Sequence, residues 1–247
     1  MRIKALLFDF GGTIDTDGMH WSEKFWEAYT LKNIPVSKED YEKAYVWADE
    51  QMNRMEINEN MKFRQIIESK ISLQLQFLEK NSRLKVKKDT NELIEDLTGL
   101  LYSEVSKNIL RNTKLLMELS MKYHIGVVSN FYGNLETVMQ EFKLQNFITT
   151  IIDSKVVGLR KPDPAIYNEA CEDIGISTRE AIVIGDDYEK DIESSKKIGC
   201  STVWLDGQSW KKPNTTPDAD VIIKSLDQVR NAIKRIESKL EDQNEAQ

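Results

Sequence analysis

The chain has two cysteines, Cys171 and Cys200, in 247 residues. That is too few for a disulfide framework and fits free thiols in a reducing compartment. No apolar run approaches the ~20 residues that cross a bilayer. The run Ala5-Leu6-Leu7-Phe8 is cut by Asp9 far too early for a secretory signal, so the expected compartment is the cytoplasm. Positive charge is in deficit: 34 Lys and Arg stand against 41 Asp and Glu, giving a net charge of −7 and a pI near 5.1. Nucleic acid and anionic membrane are therefore poor default partners. Lys211-Lys212 is too short a basic cluster to change that. Internal repeats and low-complexity linkers are also lacking. What remains is a soluble globular composition, 30% charged with a mean hydropathy of −0.50. Its length suits one large domain or two modest ones.

Two kinds of pattern divide the chain. Short apolar runs at Ile3–Phe8, Ile125–Val128, Ile148–Ile152, Ala181–Ile184, Thr202–Leu205 and Val221–Ile223 read as buried strands. Amphipathic helical patterns separate most of them, including Leu135 to Phe142 and Ile166 to Ile174 behind Pro164. This alternation predicts an α/β fold with a parallel sheet covered on both faces. Ser225-Leu226-Asp227-Gln228 has the spacing of a capping box for a last helix. Residues 17–107 carry no strand pattern. There, Tyr41, Ala44, Tyr45, Ala48 and Met52 keep helical spacing behind a Ser37 cap, and Phe63, Ile67, Ile71, Leu75 and Leu78 form a second stripe. Leu93, Leu97, Leu100, Leu101 and Val105 form a third, and Phe25, Trp26 and Tyr29 suggest a shorter first helix.

The chemically useful residues lie just after the predicted strands, where a parallel sheet gathers its ligands. Asp9 precedes Gly11-Gly12-Thr13, Ser129-Asn130 follows Val127-Val128, and Asp186-Asp187 follows Gly185, with Asp191 beyond. Lys161 sits in Arg160-Lys161-Pro162-Asp163-Pro164, where two prolines restrict the backbone. Asp before Gly-Gly is also ordinary turn chemistry, and Ser-Asn after a strand is common in loops. Closely spaced carboxylates, however, repel unless a cation or donors compensate, and hard oxygen ligands of this kind suit magnesium. Trp21, Trp26 and Trp47 read as packing residues, Arg160 as a surface charge, His20 as a polar contact near a hinge and His124 as structural.

The four segments, in this order, resemble the haloacid dehalogenase superfamily over essentially the whole chain. Lys161 matches its Lys-Pro-x-Pro motif, and Asp186 and Asp191 match Gly-Asp-x-x-x-x-Asp. The resemblance implies a Rossmann-like doubly wound parallel sheet core over 1–16 and 108–247, with an inserted helical cap domain over 17–107. It also implies a phosphohydrolase dependent on Mg2+ that acts on a small phosphorylated metabolite. Asp9 would be the nucleophile, forming an aspartyl-phosphate, and a metal ligand. The Gly11 carbonyl and Asp186 would be further ligands, with Asp191 acting through water and Asp187 nearby. Gly12, Thr13, Ser129, Asn130 and Lys161 would hold the phosphoryl group. One residue departs from the pattern. The family's phosphatases usually carry a second Asp two positions after the first, where this chain has Gly11. Its acid–base work would fall to solvent, to substrate or to Asp15, Asp17 or His20.

Three other readings share parts of the pattern. Haloacid dehalogenases also lack that Asp, but they generally lack the acidic fourth motif that Asp186, Asp187 and Asp191 supply here. Phosphonatases use a cap lysine, for which Lys24, Lys38, Lys43 and Lys62 are available. A catalytically weak member would bind a phosphometabolite or a protein partner. The oligomeric state expected is monomer or homodimer.

Overall fold

A computed structural model describes residues 2–81, 89–209, 213 and 216–245. The basic pair Lys211-Lys212 and Trp210 lie outside the described residues. The strands are β1 (Ala5–Phe8), β2 (His124–Ser129), β3 (Thr150–Asp153), β4 (Ala181–Gly185), β5 (Ser201–Leu205) and β6 (Val221–Ile223). They form one parallel sheet in the order β3-β2-β1-β4-β5-β6. Ala5, Leu6, Leu7 and Phe8 are wholly buried because β1 is covered on both faces. Leu6 and Phe8 join one core with Val127 and Ile184, while Leu7 joins the other with Val128, Tyr167 and Val183.

Among the described residues, four α-helices intervene between β1 and β2: α1 (Trp21–Leu31), α2 (Lys38–Arg54), α3 (Phe63–Lys80) and α4 (Thr90–Ser120). The apolar stripes read from sequence are their buried faces. Ser37 caps α2 as expected, its Oγ accepting from the Asp40 N–H at 3.1 Å. Helix α4 outruns its predicted stripe and passes residue 107 without a break, carrying Leu115, Leu116 and Leu119 into the core. The remaining helices are α5 (Leu135–Glu141), α6 (Ser154–Val157), α7 (Ala165–Ile174), α8 (Ser194–Lys196) and α9 (Val229–Glu245).

The capping box expected at Ser225 does not form. The Leu226 N–H donates instead to Asp17 Oδ1 at 2.7 Å, and Gln228 accepts from the Lys224 N–H at 2.8 Å. A carboxylate distant in sequence outcompetes the local hydroxyl once folding brings it there. No helix among the described residues is long and apolar enough to cross a membrane.

Candidate active site

The sheet order reverses direction at β1, whose neighbours β2 and β4 both deliver loops to the same end. A crevice opens at such a point, outside the carboxyl ends of the strands. Asp9 is the first residue beyond β1, and its N–H donates to the Ile184 carbonyl at 2.9 Å. Ser129 ends β2, and Asp186 follows Gly185 at the end of β4. All three line one cleft with Gly11, Asn130, Lys161, Asp187 and Asp191.

Lys161 is the centre of the charge arrangement. Its Nζ donates to Asp9 Oδ1 at 2.6 Å and to Asp191 Oδ1 at 2.7 Å, and its side chain is 2% exposed. Burial alone would lower the ammonium's pKa, but Asp191 and Asp9 outweigh it and hold it above the ordinary lysine value. Asn130 fixes the lysine's backbone from both sides. Its Nδ2 donates to the Lys161 carbonyl and its Oδ1 accepts from the Lys161 N–H, each at 2.9 Å. Tyr167, from α7, donates to Asp191 Oδ1 at 3.0 Å.

Asp9, Asp186 and Asp191 each offer an oxygen within 4.8 Å of the others. Burial first, then Asp9, Asp191 and Asp187, push Asp186 well above the usual carboxylate range. One ammonium does not balance three carboxylates, two of them buried and Asp186 half-buried, and an all-oxygen set with surplus negative charge fits a hard divalent cation. Asp187 lines the same cleft but is engaged elsewhere, accepting from the Lys190 N–H at 3.1 Å and pairing with Lys190 Nζ at 2.5 Å.

The turn after Asp9 is shaped by this cluster. Gly12 has φ +102°, and a Cβ there would overlap the Asp186 carboxylate. Its N–H donates to Asp15 Oδ1 at 2.7 Å. Thr13 is buried, and its hydroxyl donates to Asp186 Oδ1 at 3.0 Å. Thus Gly12 and Thr13 meet the site through Asp15 and Asp186, and neither lines the cleft.

Beside Gly11 stands Trp21, which lines the cleft as well as packing in the cap. A Cβ on Gly11 would lie 3.7 Å from Cδ1 and Nε1 of the indole, whose N–H donates to Asp15 Oδ2 at 2.7 Å. Of the expected stand-ins for the missing acid, Asp15 is wholly buried beneath Trp21, and Asp17 pairs with Arg111 at 2.6 Å. Neither lines the cleft. His20 does, but burial, then Lys190, lower its pKa to about 4. Its Nδ1 accepts from the Ser22 N–H at 3.2 Å and lies 2.7 Å from the Ser22 Oγ. Burial thus disfavours the charged imidazolium at neutral pH.

The cap contributes Phe25, Tyr45, Asp49, Phe63 and Lys70 to the cleft, and Arg160, exposed as a surface charge, lines its rim. Lys24, Lys38, Lys43 and Lys62 do not reach it. Sequence reading missed Lys70, although a signal existed. Lys70 follows Ile66 by four residues, on the face that buries Ile66, Ile67 and Ile71, and a charged residue there has an unusual task. Asp49 and Tyr132 carried no comparable mark.

The sequence pattern of the haloacid dehalogenase-like hydrolases matches residues 6–205, and with the sheet, the helical insertion and the four segments in order, the chain belongs to that family. Among curated relatives, the haloacid dehalogenase-like hydrolase domain-containing protein 3 of Danio rerio is 30% identical over 139 residues, 56% of this chain and 57% of that one. A glyceraldehyde 3-phosphate phosphatase of Methanocaldococcus jannaschii is 28% identical over 150 residues, 56% of this chain and 64% of that one. The chain thus matches less than two thirds of the length of these relatives. The fold is shared with the solved HAD hydrolase YfnB of Bacillus subtilis, bound to magnesium. The TM-score is 0.56 at 17% identity, covering 95% of this chain and all of that one.

Proposed function

We propose that the protein is a magnesium-dependent phosphohydrolase of a small phosphorylated metabolite, working through an aspartyl-phosphate on Asp9. The observation that carries this reading is Lys161, buried between Asp9 and Asp191 beside the uncompensated Asp186. The relative called a glyceraldehyde 3-phosphate phosphatase supports the substrate class. We read residues 1–16 and 108–247 as the core domain and 17–107 as the cap.

Asp9, Asp186, Asp191 and the Gly11 carbonyl would hold the ion, with Asp187 kept nearby by Lys190. When bound, magnesium would screen the repulsion between the Asp9 carboxylate and the phosphoryl oxygens. Lys161 orients Asp9 through the bond from its Nζ, and its ammonium offsets charge on the transferring group. Ser129 supplies a hydroxyl at the strand end, and Asn130 fixes the lysine. An Asp9 oxygen attacks phosphorus, and the bond from phosphorus to the ester oxygen breaks with its electron pair leaving on that oxygen. Water then attacks phosphorus, releasing inorganic phosphate and restoring the carboxylate. No side chain at position 11 protonates the leaving oxygen, a contribution typically worth roughly 10²–10⁴-fold. Leaving groups that need little protonation, as in acyl and aryl phosphates, should therefore react faster than alkyl esters.

Phosphate release from acetyl phosphate, phenyl phosphate and ethyl phosphate tests this reading. Turnover should require magnesium, fall in that order and drop to background in Asp9→Asn. Turnover that survives chelation, or that persists in Asp9→Asn, would overturn it. Halide release from a 2-haloacid without metal would put the dehalogenase reading in its place.

A further inference from the structure

The cleft that holds Asp9 also carries, on its cap side, a charge pair that the mechanism does not use. Lys70 of α3 and Asp49 of α2 meet with Nζ–Oδ1 at 3.0 Å, their side chains 12% and 40% exposed. The ammonium lies over the rings of Tyr45 and Tyr132, 5.7 Å and 5.5 Å from their centroids. The Tyr132 hydroxyl, from the core loop after β2, donates to Asp49 Oδ1 at 3.3 Å. All four residues line the cleft that contains Asp9 and Lys161.

Both groups are charged. Burial alone would lower the Lys70 pKa, but Tyr132, Asp49 and Tyr45 hold it well above the ordinary lysine value. Lys70 in turn keeps Asp49 below the usual carboxylate range. A half-buried ion pair is a poor way to join two helices, because desolvation offsets most of the attraction and apolar residues pack as well or better. The α3 residues beside Lys70, Ile66, Ile67 and Ile71, are apolar and already do that work.

We propose that the Lys70–Asp49 pair receives an α-amino acid head on the leaving group, Lys70 taking its carboxylate and Asp49 its ammonium. The preferred substrates of the Asp9 site would then be phosphate esters of hydroxy amino acids. A neutral apolar head gains nothing from adjacent opposite charges, and a neutral polar head gains hydrogen bonds without charge pairing. A head with only an anion is drawn to Lys70 and repelled by Asp49, and a head with only a cation meets the reverse. Only a zwitterion is complementary to both at once. The Tyr45 and Tyr132 rings exclude water around the ammonium, which strengthens the contacts made there.

This assignment rests on the phosphohydrolase reading, and the two can fail separately. Calorimetric titration of the magnesium-loaded wild-type protein should compare O-phosphoserine, 2-phosphoglycolate, O-phosphoethanolamine and ethyl phosphate, each as its non-hydrolysable phosphonate analogue, while acetyl phosphate turnover tests the reaction itself. O-phosphoserine should bind roughly tenfold or more tighter than ethyl phosphate, the factor typical of one charge-assisted hydrogen bond. The two singly substituted ligands should bind no better than ethyl phosphate. Lys70→Met and Asp49→Asn should each erase most of the O-phosphoserine preference. Equal affinities across the four ligands in the wild type would overturn the proposal, and so would 2-phosphoglycolate binding as tightly as O-phosphoserine. Because the wild-type ranking decides the matter, it holds even if a variant fails to fold. An inert protein that still prefers O-phosphoserine would defeat the phosphohydrolase reading and keep the zwitterion site.

Discussion

A methyl group added at Gly11 would touch the Trp21 indole at an ordinary 3.7 Å, but a carboxylate must extend beyond it. Gly11→Ala should therefore fold normally. Gly11→Asp should displace the indole and break its bond to Asp15, costing about 1–3 kcal/mol because Asp15 is left buried with a lost donor. The gain on alkyl phosphates should fall well short of the roughly 10²–10⁴-fold that an acid–base group can supply. Chemical denaturation and a graded leaving-group series check both parts. A full gain at unchanged stability would show that the indole does not control this position. Asp15 itself has a pKa raised by burial to about 7, against 3.8 ordinarily, with hydrogen bonds from Gly12 and Trp21 opposing the rise. The folded state thus binds the proton more tightly than the unfolded chain does. Asp15 contributes stability that is fully present below about pH 4 and is lost as pH rises through about 7. Asn does not titrate, so the stability of wild type relative to Asp15→Asn should decline across that window. A pH-independent difference would mean that Asp15 is ionised throughout.

At the scale of elements, α4 runs from Thr90 to Ser120 and joins the cap region to the sheet as one rod. Asn112 ties it to the turn after Asp9, donating from Nδ2 to the Ile14 carbonyl at 2.8 Å in a buried setting. Asn112→Leu keeps the volume roughly but orphans that carbonyl, and should cost about 1–3 kcal/mol, read from the midpoint of urea unfolding. A neutral outcome would mean that water reaches the Ile14 carbonyl. The helices themselves were legible because their apolar stripes are long and regular, as with Phe63 to Leu78. Their ends were less so. The turn that leads into α9 takes its partner from Asp17, through the Leu226 N–H, and no local spacing rule announces a contact across most of the chain.

For the molecule as a whole, the meeting of Asp9, Asp186 and Asp191 is an electrostatic cost that binding a cation would relieve. Without divalent ions, Asp186→Asn should raise the melting midpoint, since it removes a buried charge held among like charges. Magnesium should raise the wild-type midpoint, because a ligand that binds only the folded state stabilises it, and that rise should vanish in Asp186→Asn. A variant less stable than wild type in chelator would mean that the carboxylate is compensated in the free protein.

The sequence by itself determined the parallel sheet, the inserted helices and the four strand-end segments. Strand burial, helical period and motif spacing are local properties, written in consecutive residues such as Ala5–Phe8 or Gly185–Asp191. Tertiary structure decided what those segments do to one another. It spent the Gly12 N–H on Asp15, turned Asn130 into the clamp of Lys161, and drew Asp187 to Lys190. It set Trp21 against Gly11 and brought Lys70 and Asp49 from separate helices into the cleft that holds Asp9. The Asn130 clamp and the Lys70–Asp49 pair depend on side chains far apart in the chain, whereas Gly12–Asp15 and Asp187–Lys190 are three residues apart and are set by how each turn folds at the strand end. Burial and neighbouring charge, which fix protonation and free donors, exist only once the cleft has closed around them.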